Sequence, residues 1–191
     1  MAREMLRALG MASTMLVMLN HADRVRIGCA TGGLDALCRT DREHVWKGAA
    51  HYPFTQMIRW ARGEALRCEL RCARADIPGY AIDDMNQYGG FEGIETVQCA
   101  AALNGEAGEM TVFVINADPH EDLELTLDAR AFEGWKFTEH IAMCAEREDD
   151  ANTFENPWAI LPRRNVSSRE EKGIVTAALR RESWNVLRFM R

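Results

Sequence analysis

Asp35, Asp41, Glu43, His44 and Trp46 collect in one polar stretch, Leu34 to Gly48. Carboxylates and an imidazole there offer proton transfer, and an indole offers a stacking face. A polar loop of this length after a strand is usually either functional or disordered. The other chemically suggestive groups are weaker. His51-Tyr52 stands beside Pro53, where a helix start explains it better than acid–base work. Asn165-Val166-Ser167 matches a glycosylation sequon, which means little without a secretion signal. Six cysteines occupy positions 29, 38, 68, 72, 99 and 144; none forms a C-x-x-C pair, and the spacing fits no zinc finger or ribbon. Cys68 and Cys72, four apart in a strand-like segment, share a face and read as small buried hydrophobes rather than as a metal or disulfide site.

The elements that must position these groups fall into two kinds. Ala2 to Asn20 carries Met5, Leu6, Leu9, Leu16 and Leu19 at helical spacing, with no capping residue ahead of it, so the chain is expected to begin inside a helix. Val25 to Ala30 reads as a short strand ending at the Thr31-Gly32-Gly33 turn. A second helix starts near Pro53, with Phe54, Met57, Ile58 and Ala61 on one face, and Gly63 is placed to end it. Helix, strand, glycine loop and helix is the rhythm of an α/β barrel. Beyond Gly63 the chain changes to short strands: Leu66 to Cys72, Thr96 to Leu103 before an Asn104-Gly105 turn, Met110 to Asn116, Leu123 to Leu127, Trp135 to Ile141, Ile174 to Leu179 and Trp184 to Phe189. Ala145 to Ser168 reads as a polar excursion with little regular structure. The expected fold is therefore mixed: a (β/α)8 barrel remnant over residues 1–63, then an antiparallel β-sandwich over 64–191.

Composition excludes several classes of function. With 47% hydrophobic and 27% charged residues the chain is ordinary globular protein, and a net charge of −6 argues against nucleic acid as a partner. No apolar run approaches the roughly 20 residues that span a bilayer, so no membrane partner is expected. Met15 to Leu19 runs at once into Asn20, His21, Asp23 and Arg24 with no cleavage site, which favours a core helix over a signal peptide, and a cytoplasmic protein. Free thiols suit that compartment.

Several stretches, in order, resemble the carboxy-terminal third of family 51 glycoside hydrolases, the intracellular α-L-arabinofuranosidases. They include Leu19-Asn20-His21-Ala22-Asp23-Arg24-Val25, His51-Tyr52-Pro53-Phe54, Arg62-Gly63-Glu64-Ala65-Leu66 and Val112-Phe113-Val114-Ile115-Asn116. Phe132-Glu133-Gly134-Trp135, Asn152-Thr153-Phe154-Glu155-Asn156-Pro157 and Ser183-Trp184-Asn185-Val186-Leu187-Arg188 continue the series. The resemblance implies a catalytic barrel followed by a sandwich, and a retaining hydrolase that removes terminal α-L-arabinofuranosyl groups from hemicellulose oligosaccharides. No cofactor and no metal are expected; the resemblance suggests a homo-oligomer, and a split enzyme completed by an amino-terminal polypeptide is a further option.

A retaining hydrolase needs two carboxylates about 5 Å apart, presented at the carboxyl ends of barrel strands. The one barrel-like strand here has no Glu at its end, and the resemblance places both family glutamates upstream of Met1, so no catalytic residue is assigned. Asp35 is the acid nearest that strand end, with loop solvation the preferred reading. The family shows a sugar-facing glutamine where this chain has Gly32, which lacks a side chain to bond a hydroxyl. Trp46 remains a weak substrate-binding candidate, as a stacking surface or as helix-docking core. Without the rest of a barrel, the helices are expected to expose Leu6, Leu9 and Leu16. A non-catalytic sandwich module binding carbohydrate or a partner subunit is the alternative. Against it, the aromatics Trp135 and Trp184 read as core.

Overall fold

The computed structural model describes residues 4–30, 37–81 and 87–191. Asp35 and the Thr31-Gly32-Gly33 turn lie outside the described residues. Two helices are present among the described residues, α1 (Glu4–Asn20) and α2 (His51–Trp60). The strands are β1 (Cys38–Thr40), β2 (Val45–Lys47), β3 (Glu64–Leu66), β4 (Arg74–Ile77), β5 (Tyr80–Ala81), β6 (Gln87–Tyr88), β7 (Phe91–Glu95) and β8 (Val97–Asn104). They continue with β9 (Glu109–Asn116), β10 (Leu123–Asp128), β11 (Lys136–Met143), β12 (Arg163–Arg164), β13 (Arg169–Glu171), β14 (Ile174–Leu179) and β15 (Ser183–Met190).

A six-stranded antiparallel sheet, ordered β12-β11-β15-β9-β8-β3, is the centre of the molecule. Its two faces carry separate cores because strand side chains alternate. On β9, Phe113 and Ile115 point to one core while Met110, Val112 and Val114 point to the other. Both faces being covered, β9 reads as a continuous apolar run. Asn104-Gly105 opens the β8–β9 hairpin as expected, with the Asn104 side chain accepting from the Ala107 N–H at 3.2 Å.

One face packs on a three-stranded sheet, ordered β10-β14-β13, through Val175, Ala177 and Leu179 of β14 and the alternate leucines 123, 125 and 127 of β10. That is the sandwich. The other face is covered by α1 and α2. Met5, Ala8, Leu9, Ala12 and Leu16 form the buried stripe of α1, with Ala8 and Ala12 small enough to bring the helix close. Each larger apolar side chain so buried contributes about 1.5–3 kcal/mol. Leu9 and Leu16 are therefore covered by the sheet, contrary to the expectation that they would lie bare, and Leu6 alone of the three is exposed. Asn20 fastens the end of α1 by donating to the Cys99 carbonyl at 2.9 Å.

Two expected strands differ. Val25–Ala30 has no regular structure, and Ile27 is 81% exposed. A barrel strand exists only between parallel neighbours, and this segment has none among the described residues. Of Leu66–Cys72 only Leu66 is paired, as the last residue of β3 opposite β8. Gly63 joins α2 to β3 at φ 83°, and a Cβ there would meet the Leu103 carbonyl, so only glycine fits.

Candidate functional site

The β1–β2 hairpin holds the chemically suggestive residues, and its tip is built by Asp41. Asp41 Oδ1 accepts the backbone N–H of Glu43 at 2.8 Å and of His44 at 2.7 Å, while its own N–H donates to the His44 carbonyl. His44 Nδ1 lies 3.0 Å from Oδ2 and donates to it. These bonds, the Glu43 amide first, hold the Asp41 carboxyl below the usual carboxylate range. Asp41 is thus an anion spent on its own turn and is not built to supply a proton.

Trp46 sits across from Arg39 in this hairpin, half-buried, with Nε1 donating to the Asn152 carbonyl at 2.8 Å. Asn152 is 3% exposed and ties the hairpin to the excursion that follows β11. Its Nδ2 donates to the carbonyls of Lys47 and Ile160, and its Oδ1 accepts the Ile160 N–H at 2.8 Å. Thr153 and Asn156 close a turn through two further bonds, in keeping with turn chemistry for the Asn152-to-Pro157 stretch. The turn presents Phe154, whose ring stacks on His44 with centroids 3.7 Å apart. Phe154 and Trp158 are 47% and 62% exposed. Trp135 and Trp184, by contrast, pack in the two cores, as expected.

Three polar residues that carry no local sequence signal fasten the elements on the two faces of the sheet. Glu4, 5% exposed, accepts the Ala49 N–H at 2.7 Å and lies 3.6 Å from Arg39. An acid in the first turn of a helix reads as ordinary, so no signal marked it. Arg188 donates to Glu139 and Glu109 across the sheet and stacks on Trp60 of α2 at 4.7 Å. His140, 1% exposed, bridges Ser168 at 2.7 Å and Asn185 at 3.0 Å inside the sandwich.

Burial holds the His140 imidazole below its ordinary value, so it is neutral, with Nε2–H donating to Asn185 and Nδ1 accepting from Ser168. The unfolded chain takes up a proton near pH 6.5 where the folded chain does not. Stability from this group is therefore complete above about pH 6.5 and is lost as pH falls below it. Thermal melts from about pH 7.5 to 5.5 are expected to fall more steeply for the wild type than for His140→Gln, and equal slopes would remove His140 from the account.

His51 and Tyr52 pack edge to face at the start of α2, with burial lowering the His51 value and raising that of Tyr52. Their placement suits a structural role. Among the described residues no group of three or more His, Cys, Asp or Glu is arranged to hold a metal. Nor is any helix long and apolar enough to cross a membrane.

The described residues define an antiparallel β-sandwich with a helical cover. A family model, the α-L-arabinofuranosidase C-terminal domain, matches residues 2–183, and the chain belongs to that family. An intracellular exo-α-(1→5)-L-arabinofuranosidase of Halalkalibacterium halodurans is 31% identical over 95% of this chain and 34% of its own length. The enzyme of that name from Acetivibrio thermocellus is 27% identical over 92% of this chain and 33% of its own. The chain thus spans about a third of these curated relatives. Among solved structures, a family 51 α-L-arabinofuranosidase from Bifidobacterium longum superposes with a TM-score of 0.78 at 20% identity, covering 95% of this chain and 34% of that one. The family 51 enzyme of Xanthomonas axonopodis pv. citri gives 0.72 at 20% identity over 96% of this chain and 35% of that one. The resemblance to the carboxy-terminal part of the family 51 enzymes holds.

Proposed function

We propose that this chain is the carboxy-terminal part of a cytoplasmic α-L-arabinofuranosidase that removes terminal α-L-arabinofuranosyl groups from hemicellulose oligosaccharides with retention. The carrying observation is a family match over residues 2–183 in a chain spanning a third of its relatives. Residues 1–63 are the end of the catalytic barrel and 64–191 the sandwich. The bare Val25–Ala30 segment, with Ile27 exposed, supports this division, because it is a strand-like sequence without strand neighbours among the described residues. Both catalytic glutamates lie upstream, and Asp35 and Trp46 border the sugar pocket at most as contacts. The partner is either an amino-terminal polypeptide carrying the barrel or the same chain as a homo-oligomer. Purified alone, the chain is expected to leave an aryl α-L-arabinofuranoside intact, and to gain hydrolysis when combined with a polypeptide supplying the barrel. Turnover by the isolated chain would overturn the proposal.

A second reading, a carbohydrate-binding sandwich module, is favoured by the exposed rings of Phe154 and Trp158 in the excursion to which the Trp46 indole N–H is tied. Affinity electrophoresis on arabinan and arabinoxylan separates the two, since unretarded migration rejects the binding module.

A further inference from the structure

β3 pairs with β8 in the register Glu64–Leu103, Ala65–Ala102, Leu66–Ala101. Continued two residues past the observed pairs, that register would bring Cys68 opposite Cys99. The hydrogen bonding of the strand stops at Leu66, yet Cys68 and Cys72 still pack on the sheet face that carries Cys99. Opposed antiparallel residues have Cα atoms about 4.5–5.5 Å apart, inside the range of about 4.4–6.8 Å that a disulfide bridges. Both thiols are partly exposed, and they line, with Cys72, an open groove beside β10. Cys29, Cys38 and Cys144 do not belong to this cluster.

We propose that Cys68 and Cys99 form a reversible dithiol–disulfide couple, a redox modification site that staples residues 67–73 to β8. Each thiol acts on the other: the neighbouring Cys99 lowers the Cys68 value and Cys68 raises that of Cys99, which makes Cys68 the attacking sulfur. The oxidant is a small disulfide such as oxidised glutathione, which reaches the thiols through the groove. The Cys68 thiolate attacks one of its sulfurs, the glutathione S–S bond breaks, and one glutathione thiolate leaves as the mixed disulfide forms. Cys99 gives its proton to water, and its sulfur attacks that of Cys68, expelling the second glutathione thiolate. Two protein thiols are oxidised by two electrons, and one glutathione disulfide is reduced to two thiols. The product extends the β3–β8 pairing with a covalent bond where its hydrogen bonds end.

The test uses the full 191-residue chain. It is treated with oxidised glutathione, alkylated with iodoacetamide and digested with trypsin. Cleavage after Arg67, Arg71, Arg74 and Arg130 places Cys68, Cys72 and Cys99 in three different peptides. The expected result is the Cys68–Arg71 peptide joined to the Ala75–Arg130 peptide. Two of the six thiols are then lost to alkylation, and dithiothreitol reverses the link. Cys68→Ser is expected to abolish the link and Cys72→Ser to leave it intact. A link from Cys72 instead, a glutathione adduct that never resolves onto Cys99, or alkylation of all six cysteines would each overturn the proposal.

Discussion

Trp184→Ala is expected to lower the unfolding free energy by about 3–5 kcal/mol, the cost of emptying a large aromatic site. Trp184 is fully buried in the middle of the six-stranded sheet and is the largest buried side chain. Its ring stacks on Phe113 at 5.7 Å, and its Nε1 donates to Gln56 of α2 at 2.7 Å. The substitution thus opens a cavity between sheet and helices and leaves the Gln56 carbonyl without its donor. Against a domain stability of about 5–15 kcal/mol, that loss is a large fraction. Urea denaturation checks it: the midpoint should fall sharply with little change in slope. Trp184→Phe, which keeps one aromatic ring but loses the N–H and part of the indole volume, should recover more than half of the loss. A midpoint unchanged in Trp184→Ala would mean that the helical cover is not held to the sheet through this contact.

The second large effect is expected at Asn152. Asn152→Ala removes the partners of the Lys47 carbonyl and of both backbone groups of Ile160. Buried groups left unpaired cost about 1–3 kcal/mol each, and partial access of water brings the expected total to about 2–4 kcal/mol. Asn152→Asp keeps an acceptor for the Ile160 N–H but turns an oxygen toward two carbonyls, so it should restore little. The loss is expected to be local. The excursion and the β1–β2 hairpin are joined here and through Trp46 Nε1, so Trp46 fluorescence should change at urea concentrations below the global transition. A single transition, seen alike by fluorescence and by circular dichroism, would show instead that the excursion unfolds only with the sheet.

Much of the sandwich was legible because its strands carry local signals. The unbroken apolar run of β9, the alternation of β10 and the Asn104-Gly105 turn each follow from side-chain direction over a few residues. The stripe of α1 was legible for the same reason. Val25–Ala30 and Leu66–Cys72 carry the same kind of signal but lack full pairing here, since a strand needs a partner that its own residues do not encode. The site was less legible. Trp46 was marked by type, but its indole N–H is tied to the carbonyl of Asn152, a partner over a hundred residues away. Asp35 lies outside the described residues. Glu4, His140 and Arg188 acquire their roles only from groups on other elements.

A helical opening, a β-rich remainder and the likeness to the carboxy-terminal part of family 51 can all be read from the residues alone. Period and turn chemistry are local properties, and ordered motifs survive without knowledge of contacts. Only the tertiary structure decided that α1 and α2 lie on the sheet rather than standing bare, and that Asp41 is consumed by its own turn. It alone also brought Cys68, Cys72 and Cys99 onto one face of the sheet. Those outcomes depend on which strands become neighbours, and long-range pairing is settled by burying two faces of one sheet at once, which no short window of sequence contains.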